Sequence, residues 1–430
     1  MKYFGTDGIR GIPNETLTLE LALSLSRALK ILNTKHVVIG TDTRISKDML
    51  AFQMIAGCLS QGMDVEYVGV ISTPGLIYLS KIRDAIGVII TASHNPYQDN
   101  GIKVIYQGRK LALEEEEKLE QAMERKSLVQ SPMGKFINNP MAIRDYHLML
   151  SKSIFPTNLK IAIDCANGAT YKTAPLLFRL MTPYLEIMGN YPTGTNINEA
   201  CGSTHLKALS DLVVEKHCDL GIAFDGDGDR VQFVNKYGEA ISGDHLIYIL
   251  ACYLKEKNRL KNNAVILTIM SNPGIIAGLQ KEGIRVIEVP VGDRYVAEAI
   301  KEQDLSLGGE NSGHIIYSKN SLIGDGIFIA MQVIAILEET HTTIEDWVEK
   351  ISLYPNRLEN VVVQNKNAVM GEPLQQELSK LKEEAKEDCK IIVRPSGTED
   401  CIRISIMAKT KELVASYMEK IKSLISFLDA

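Results

Sequence analysis

The feature that most restricts the fold of this 430-residue chain is a pattern of apolar segments that occurs three times. In each occurrence, two short β-rich segments flank a stretch with helical periodicity, and a third β-rich segment follows. The first segments span 35–40, 159–163 and 264–268, the second span 65–70, 184–188 and 284–289, and the third span 85–90, 219–224 and 305–307. Strands that alternate with helices favour α/β domains with largely parallel sheets.

A polar segment follows the third β-rich segment of each unit. These segments are TASHNPYQDNGIK (91–103), DGDGDR (225–230) and GGENSGH (308–314). In open α/β sheets, ligands bind beyond the carboxyl ends of the strands. We therefore expect the three polar segments to share one cleft.

After about Ser352 the pattern changes to strand, helix, two strands and helix, which predicts a smaller α+β domain. The predicted fold is three related α/β domains with mixed, largely parallel sheets, followed by this C-terminal α+β domain. The predicted limits are 1–154, 155–256, 257–352 and 353–430. Two charged segments are interpreted as a solvated helix face (114–126) and a linker (255–263).

Composition and charge exclude several classes of protein. The hydrophobic content of 45% is typical of a soluble globular protein, and the net charge of -6 gives no reason to expect nucleic acid or an anionic membrane as a partner. No apolar stretch approaches the roughly eighteen residues of a membrane span, and the first residues lack the apolar core of a signal peptide. Seven scattered cysteines without a C-x-x-C pair predict reduced thiols in a cytoplasmic protein, and Cys201 is expected to be exposed.

Three carboxylates, Asp225, Asp227 and Asp229, alternate with glycines directly after the apolar run 220–224. The glycines permit a bend that gathers the carboxylates. Converging carboxylates repel one another unless a cation neutralises them, and oxygen-only ligands suit Mg²⁺ best. A solvated acidic turn is the alternative, but the preceding strand and the adjacent Arg230 favour a metal site.

A turn in the C-terminal domain has the composition of an anion site. Backbone N–H groups and hydroxyls in a tight turn can bind phosphate oxygens, and flanking guanidinium groups match them in bidentate geometry. The residues concerned are Arg394, Ser396, Gly397, Thr398 and Arg403. A plain hairpin turn with two surface arginines is the alternative. The chain has no P-loop lysine pattern and no strand-linked G-x-G-x-x-G, which disfavours an NTPase or a Rossmann dehydrogenase.

Ser93 follows a buried apolar run, and a serine exposed above a sheet can act as a nucleophile when its neighbours or a metal activate it. Its neighbour His94 does not imply a Ser-His pair, because adjacent side chains often point apart. Lys103 is close enough in sequence to reach the same cleft as a general acid or base. The alternatives are a turn or cap serine and a solvated lysine.

Two further segments carry polar groups suited to a sugar phosphate. Glu310, Ser312 and His314 alternate, so a strand-like geometry would present them to one side, where they suit sugar hydroxyls and proton transfer. The glycine-punctuated segment FGTDGIRG (4–11) contains Thr6, Asp7 and Arg10, which is unlike a simple solvated tail.

Together these segments resemble the α-D-phosphohexomutase superfamily and, within it, the bacterial phosphoglucosamine mutases. The resemblance runs nearly end to end through KYFGTDGIRG, TASHNPYQDNGIK, CGSTH, AFDGDGDRV, VGDRYV, GGENSGH, GDGI and RPSGTED, in that order. It implies four domains around a central cleft, carrying in turn a phosphoserine loop, a metal site, sugar recognition and phosphate binding.

The resemblance also implies a role for each candidate residue. Ser93 is the expected phosphoserine, and with Asp225, Asp227 and Asp229 it would bind one Mg²⁺. Lys103, His314 and Arg10 are the other expected catalytic residues. The expected substrate-binding residues are Thr6, Arg230, Glu310, Ser312, Arg394, Ser396, Gly397, Thr398 and Arg403.

The implied reaction interconverts glucosamine 6-phosphate and glucosamine 1-phosphate and supplies cell-wall precursor synthesis. Glucosamine 1,6-bisphosphate would be the intermediate or primer, and a kinase or self-phosphorylation would first load Ser93. A phosphomannomutase or phosphoglucomutase is the alternative, because these relatives share the core motifs and segments such as 317–322 depart from the usual pattern. From another class, a silent sugar-phosphate binder or a Ca²⁺-binding scaffold is disfavoured by the intact nucleophile, aspartates and arginines.

Overall fold

The computed structural model describes residues 2–5, 7–125, 132–319, 321–385, 388–396 and 400–429. The chain divides into two units, the first formed by 1–269 with 287–348 and the second by 270–286 with 349–430. None of the described helices is both long enough and apolar enough to cross a membrane.

The first sheet is parallel at its centre and covered on both faces. Its strands are β1 (Ile9–Gly11), β2 (His36–Thr41), β3 (Asp64–Val70), β4 (Ile86–Ile90), β5 (Asn100–Tyr106), β6 (Arg109–Lys110) and β7 (Phe136–Asn138), and its helices are α1 (Leu19–Ala28), α2 (Lys47–Ser60), α3 (Thr73–Ile82), α4 (Leu113–Glu124) and α5 (Ile143–Ser151). Successive residues of β2 enter different cores: Val37 and Ile39 pack with α2, and Val38 packs with α3. Burial on both faces explains why β2 is almost continuously apolar.

Two smaller sheets follow in the chain. The second sheet contains β8 (Ile161–Asp164), β9 (Leu185–Met188), β10 (Leu220–Phe224), β11 (Val231–Asn235) and β12 (Ala240–Ile241), and the third contains β13 (Ala264–Thr268), β14 (Arg285–Val289), β15 (Leu307–Gly309) and β16 (Ile315–Tyr317). The helices over this stretch are α6 (Thr173–Met181), α7 (Lys207–Lys216), α8 (Gly243–Glu256), α9 (Pro273–Lys281), α10 (Asp293–Glu302), α11 (Gly326–Thr340) and α12 (Ile344–Val348). Helix α8 packs against β15 and α11.

One strand order recurs in these three sheets, as β5-β4-β2-β3, β11-β10-β8-β9 and β16-β15-β13-β14. In each sheet the third strand of the unit lies beside the first, and a fourth strand pairs with the third in antiparallel fashion. The prediction of three related α/β domains with mixed, largely parallel sheets is therefore confirmed. The sequence pattern did not include the fourth strand. The third strand of the last unit begins at Leu307 rather than 305, because Leu305 closes the turn after α10.

The second unit is built on an antiparallel sheet with β19 between its two neighbours. Its strands are β17 (Asn356–Val362), β18 (Cys389–Pro395) and β19 (Cys401–Ala408), and its further helices are α13 (Lys366–Val369), α14 (Glu372–Ala385) and α15 (Lys411–Asp429). Ile404 of β19, Leu378 of α14 and Ile421 of α15 belong to one apolar core. The side chain of Asn272 ties segment 270–286 to this unit by hydrogen bonds to the backbone of Tyr354. The predicted C-terminal α+β domain is confirmed.

Three smaller predictions need correction. The helix face interpreted as solvated buries Glu116, whose carboxylate lies 2.6 Å from the guanidinium of Arg294. The segment interpreted as a linker begins inside α8, since that helix ends at Glu256. Cys201 is only 4% exposed, because the following residues bond into the second sheet: the N–H of Gly202 donates to Asp164 at 2.6 Å.

Candidate active site

Three functional loops connect the third strand of each α/β unit to its antiparallel neighbour: 91–99 after β4, 225–230 after β10 and 310–314 after β15. The loops are in contact. The hydroxyl of Ser93 donates to Asp225 Oδ2 at 2.7 Å, and His314 Nδ1 lies 3.6 Å from Asp229 Oδ1. The prediction that the three polar segments come together is confirmed by these contacts.

The aspartate loop gathers three buried carboxylates. One oxygen of each of Asp225, Asp227 and Asp229 lies within 4.8 Å of the others. Gly228 has a positive φ of 75°, which lets the chain turn back so that Asp225 Oδ1 accepts the N–H groups of Gly228 and Arg230. Among the described residues, Asp227 Oδ1 and Asp229 Oδ1 have no hydrogen-bond donor. Buried, bare carboxylate oxygens fit a hard divalent cation such as Mg²⁺.

The protonation of these carboxylates supports the same fit. Burial, together with the charges of Asp227 and Asp229, raises the pKa of Asp225 well above its usual value. Burial alone would also raise the pKa of Asp227, but the ammonium of Lys103 and the hydrogen bond from Thr73 together outweigh it, and the net shift is downward. The pKa of Asp225 stays raised even with Lys103 and Arg230 nearby, so further positive charge is needed for all three groups to ionise.

Ser93 is buried and has an unusual backbone conformation. Its φ is 53°, in the left-handed region that serine rarely adopts, and its N–H donates to Thr91 Oγ1 at 2.9 Å. The distance from Ser93 Oγ to His94 Nδ1 is 3.5 Å, too long for a strong hydrogen bond. Burial, aided by the charges of Arg230 and Arg10, lowers the pKa of His94 to about 4. The shorter contact of the Ser93 hydroxyl is with Asp225, at 2.7 Å.

Lys103 lies between two carboxylates of different domains. Its ammonium is 2.8 Å from Asp7 Oδ2 and 2.9 Å from Asp227 Oδ2. Burial alone would lower the pKa of Lys103, but Asp227 and Asp7 outweigh it and raise the pKa. Arg10 also binds the Asp7 carboxylate, donating to its Oδ2 at 2.7 Å, and it donates to Asn95 Oδ1 at 3.3 Å. Lys103 therefore contacts the aspartate cluster directly, and Arg10 is joined to Lys103 through Asp7.

The loop after β15 differs from the strand-like geometry that the alternation of its polar residues predicts. Gly313 has a φ of 89° and its N–H donates to the carbonyl of Glu310, so the segment is a turn. Ser312 Oγ lies 3.4 Å from Glu310 Oε2, whereas His314 faces Asp229 and Asp293. Glu310 and Ser312 therefore form one group, and His314 belongs to another.

His314 is part of a network of alternating charges. Its Nε2 is 3.7 Å from Asp293 Oδ2, and Asp293 also pairs with Lys110, which pairs in turn with Asp7. Burial alone would lower the pKa of His314, but Asp229 and Asp293 outweigh it and raise the pKa. The sequence motifs did not predict a role for Lys110 or Asp293, although Asp293 lies in the VGDRYV segment that resembles the family.

The candidate phosphate site lies in the second unit. Arg394 and Arg403 face each other directly across β18 and β19, and the N–H of the buried Ser396 donates to the carbonyl of Cys401 at 2.9 Å. The two arginines are thus neighbours, as a shared anion site requires. Gly397 and Thr398, as well as Thr6 near the N-terminus, lie outside the described residues.

Comparison with known families agrees with this geometry. The phosphoglucomutase/phosphomannomutase models match in four parts: alpha/beta/alpha domain I over residues 1–130, domain II over 142–238, domain III over 242–354 and the C-terminal domain over 358–424. The chain belongs to the phosphoglucomutase/phosphomannomutase family. The membership expected from the sequence motifs is confirmed.

Individual members of the phosphoglucomutase/phosphomannomutase family match over nearly the whole chain. Phosphoglucosamine mutases from Bacillus pumilus (strain SAFR-032) and Bacillus subtilis (strain 168) are each 42% identical, covering 99% of this chain and 98% of their own lengths. A solved family protein from Burkholderia thailandensis has a TM-score of 0.84 at 21% identity, covering 99% of this chain and 97% of its own. An Aspergillus fumigatus N-acetylphosphoglucosamine mutase, solved with GlcNAc-6P and magnesium, has a TM-score of 0.69 at 16% identity, covering 100% and 96%. Both structures share the fold.

The sequence pattern did not predict that Thr73 contacts Asp227. Thr73 Oγ1 donates to Asp227 Oδ2 at 2.6 Å, and its N–H donates to the carbonyl of the same residue at 2.8 Å. Thr73 begins α3, directly after the carboxyl end of β3. Ligands bind beyond the carboxyl ends of strands, and this rule applied to β3 would have identified Thr73 as a site residue.

Proposed function

We propose that the chain interconverts glucosamine 6-phosphate and glucosamine 1-phosphate through a phosphorylated Ser93. One observation carries the proposal: the Ser93 hydroxyl lies 2.7 Å from Asp225, inside a cluster of three buried carboxylates. Phosphoryl transfer depends mainly on positioning and charge stabilisation, which this arrangement offers. The printed activity of relatives that are 42% identical supports the amino-sugar substrate.

In the proposed cycle, phosphoserine 93 transfers its phosphoryl group to the free hydroxyl of the sugar phosphate. The bond between phosphorus and Ser93 Oγ breaks, a bond to the sugar oxygen forms, and the proton of the sugar hydroxyl passes to a base. The resulting glucosamine 1,6-bisphosphate then returns its other phosphoryl group to Ser93. The same steps in reverse order account for the opposite direction of the reaction.

The residues around Ser93 have separate proposed roles. Asp225, Asp227 and Asp229 would hold Mg²⁺, which when bound would neutralise charge on the transferring phosphoryl group. Arg10 and Arg230 contribute further positive charge to the site. Lys103 and His314 are the two candidates for proton transfer, since both lie against the carboxylate cluster.

Substrate recognition is proposed for two groups of residues. Glu310 and Ser312 would bind sugar hydroxyls, since their side chains contact each other in one turn. Arg394, Ser396, Gly397, Thr398 and Arg403 would bind the phosphate that is not reacting, and Thr6 stays a predicted substrate-binding residue. Because either phosphate takes that place during a cycle, this group must accept both orientations of the sugar. A cytoplasmic location, and the loading of Ser93 by a kinase or by self-phosphorylation, stay predictions.

A coupled assay tests the proposed substrate. Glucosamine, mannose and glucose 6-phosphates are compared at equal concentration, each primed with its matching 1,6-bisphosphate, and kcat/KM is measured for each. We expect glucosamine 6-phosphate to give the highest value. A higher value for mannose or glucose 6-phosphate would assign the chain to the phosphomannomutases or phosphoglucomutases, and no turnover of any of the three would exclude a mutase.

A further inference from the structure

The loop that carries Ser93 is held from behind by a residue outside the proposed mechanism. Arg44 is fully buried and donates hydrogen bonds to four carbonyls of this loop, those of Ser93, Asn95, Pro96 and Asp99. Its Nε–H donates to Asp42 Oδ2 at 2.9 Å. All five N–H donors of the guanidinium are therefore used, which no other side chain could reproduce.

A second residue reaches the same loop from the second α/β domain. Asn198 Nδ2 donates to the carbonyls of Ser93 and Asn95, both at 2.9 Å. These are two of the four carbonyls that Arg44 also binds. We name Arg44 and Asn198 together the carbonyl clamp. It connects the loop of the nucleophile to the domain that supplies the aspartates.

The carbonyl clamp opposes a conformational cost. A serine with a φ of 53° is in the sparsely populated left-handed region, which is energetically unfavourable and persists only where surrounding contacts fix it. The carbonyl of Ser93 receives two such contacts, from Arg44 and Asn198. Gly226 lies directly behind it, since a Cβ there would come within 2.4 Å of the Ser93 oxygen.

We propose that Arg44 and Asn198 are positioning residues, which hold Ser93 in the left-handed conformation and so direct its Oγ toward the aspartate cluster. Neither side chain would touch the substrate. The proposal deepens the proposed function, on which its kinetic readout rests. A displacement of about 1 Å from the reactive geometry can cost about 10²-fold in rate, so loss of the clamp should reduce kcat rather than substrate affinity.

The first test replaces Asn198 by glycine. Asn198 itself has a φ of 58°, so glycine removes its two hydrogen bonds without straining the backbone. Asn258→Gly is the matched control, because Asn258 is exposed and has a φ of 54°. We expect Asn198→Gly to lower kcat by about 10²-fold with KM within about threefold, and the control to leave both unchanged.

The second test uses Arg44→Lys, which keeps the charge but offers a point donor instead of a five-donor fork. The same kinetic pattern is expected, with a larger fall in kcat. Crystal structures of both variants supply a readout independent of activity, since φ of Ser93 should leave the left-handed region in at least one. The proposal is overturned if Ser93 keeps its φ in both variants, or if it changes and kcat stays within twofold of the parent.

These outcomes separate the proposal from the proposed function. If the parent protein turns over no sugar phosphate, the mutase assignment fails, and φ of Ser93 in the variant structures still decides the role of the carbonyl clamp. A purely structural role would lower the melting temperature and leave kcat per folded molecule unchanged, which counts against the proposal.

Discussion

The ion pairs around Lys103 in the first unit and the arginine pair of the second unit arrange their charges in opposite ways. In the first unit, positive and negative charges alternate. Lys103 lies between Asp7 and Asp227, and both Lys103 and Asp227 are buried. In the second unit, Arg394 and Arg403 are direct neighbours across two strands. Like charges at such positions destabilise a strand pair, and a bound anion removes the repulsion. Alternating charges fix a geometry before the ligand arrives, whereas a like-charged pair gains most when the ligand binds.

The largest effect is expected from Ser93→Ala, because the proposed mechanism passes every phosphoryl group through the hydroxyl oxygen of Ser93. We expect kcat to fall by about 10⁴-fold or more, with affinity for glucosamine 6-phosphate nearly unchanged. The coupled assay and isothermal titration calorimetry measure the two quantities. Ser379→Ala, on the exposed face of α14, is the matched control. Turnover that survives in Ser93→Ala without exchange of the bisphosphate would contradict the mechanism.

The second prediction concerns the metal. Asp229 Oδ1 accepts no hydrogen bond from the described residues, so Asp229→Asn removes the charge that a metal would need, together with the longer ion-pair contacts to His314 and Arg230. We expect Mg²⁺ affinity to fall by at least about 10²-fold. Calorimetric titration with magnesium chloride measures this affinity directly, and the gain in melting temperature on adding Mg²⁺ should shrink with it.

Asp211→Asn is the control for that experiment, since Asp211 pairs only with Lys207 on the exposed face of α7. Equal Mg²⁺ affinity in Asp229→Asn and the parent would remove Asp229 from the metal site. Asp225 and Asp227 would then be the remaining candidates for the metal ligands.

Acid sensitivity should also distinguish the two units, because all eight histidines lie in the first. Burial lowers the pKa of His245 to about 4. The unfolded chain takes up this proton below about pH 6.5 and the folded chain does not, so stability is present above that pH and is lost as pH falls toward 4. From pH 7.5 to 5 this one group should cost roughly 2 kcal/mol.

Urea unfolding at the two pH values measures the effect. His245→Asn should reduce the acid loss by that amount, since asparagine can keep a hydrogen bond to Ser242 without titrating. His341→Asn, at an exposed histidine, should leave it unchanged. If the parent and His245→Asn lose the same stability, burial of His245 does not control the acid response.

The smallest effect is expected from Arg394→Gln, which acts on the like-charged pair. Loss of a charge-assisted hydrogen bond should raise KM about tenfold for both glucosamine 6-phosphate and glucosamine 1-phosphate. Steady-state kinetics in both directions measure this change.

Arg83→Gln supplies the contrast, because Arg83 pairs with Glu66 and Asp145 in the first unit. It should lower stability and leave KM unchanged. If Arg394→Gln raises KM for only one of glucosamine 6-phosphate and glucosamine 1-phosphate, the phosphate site does not serve both orientations of the sugar.

The sequence predicted features that local pattern determines. The three strand units and the aspartate turn are contiguous segments, so apolar periodicity and glycine spacing were sufficient to find them. Their bounds differ from the observed strands by one or two residues, as with β10, expected from 219 and observed from Leu220. The approach of the loop of Ser93 to the loop of Asp225 was also predicted, because equivalent loops follow equivalent strands.

What the sequence did not predict depends on contacts between distant segments. Glu310 and His314 were expected on one face, but Gly313 packs so closely on Val231 that a Cβ would come within 2.0 Å of its carbonyl oxygen, and the chain turns there. Arg44 and Asn198 were missed because their partners are carbonyls, which leave no signature in side-chain patterns. Such groups can be found only once the strands are placed beside one another.

Each functional loop leaves its sheet on one strand and returns on the adjacent antiparallel one, so both of its ends are fixed. An inserted residue in such a loop can only bulge toward the reacting groups. An insertion between a helix and the next strand lengthens the rim of a domain instead. This architecture should therefore tolerate added residues at the periphery of a domain far better than within the loops that space the reacting groups.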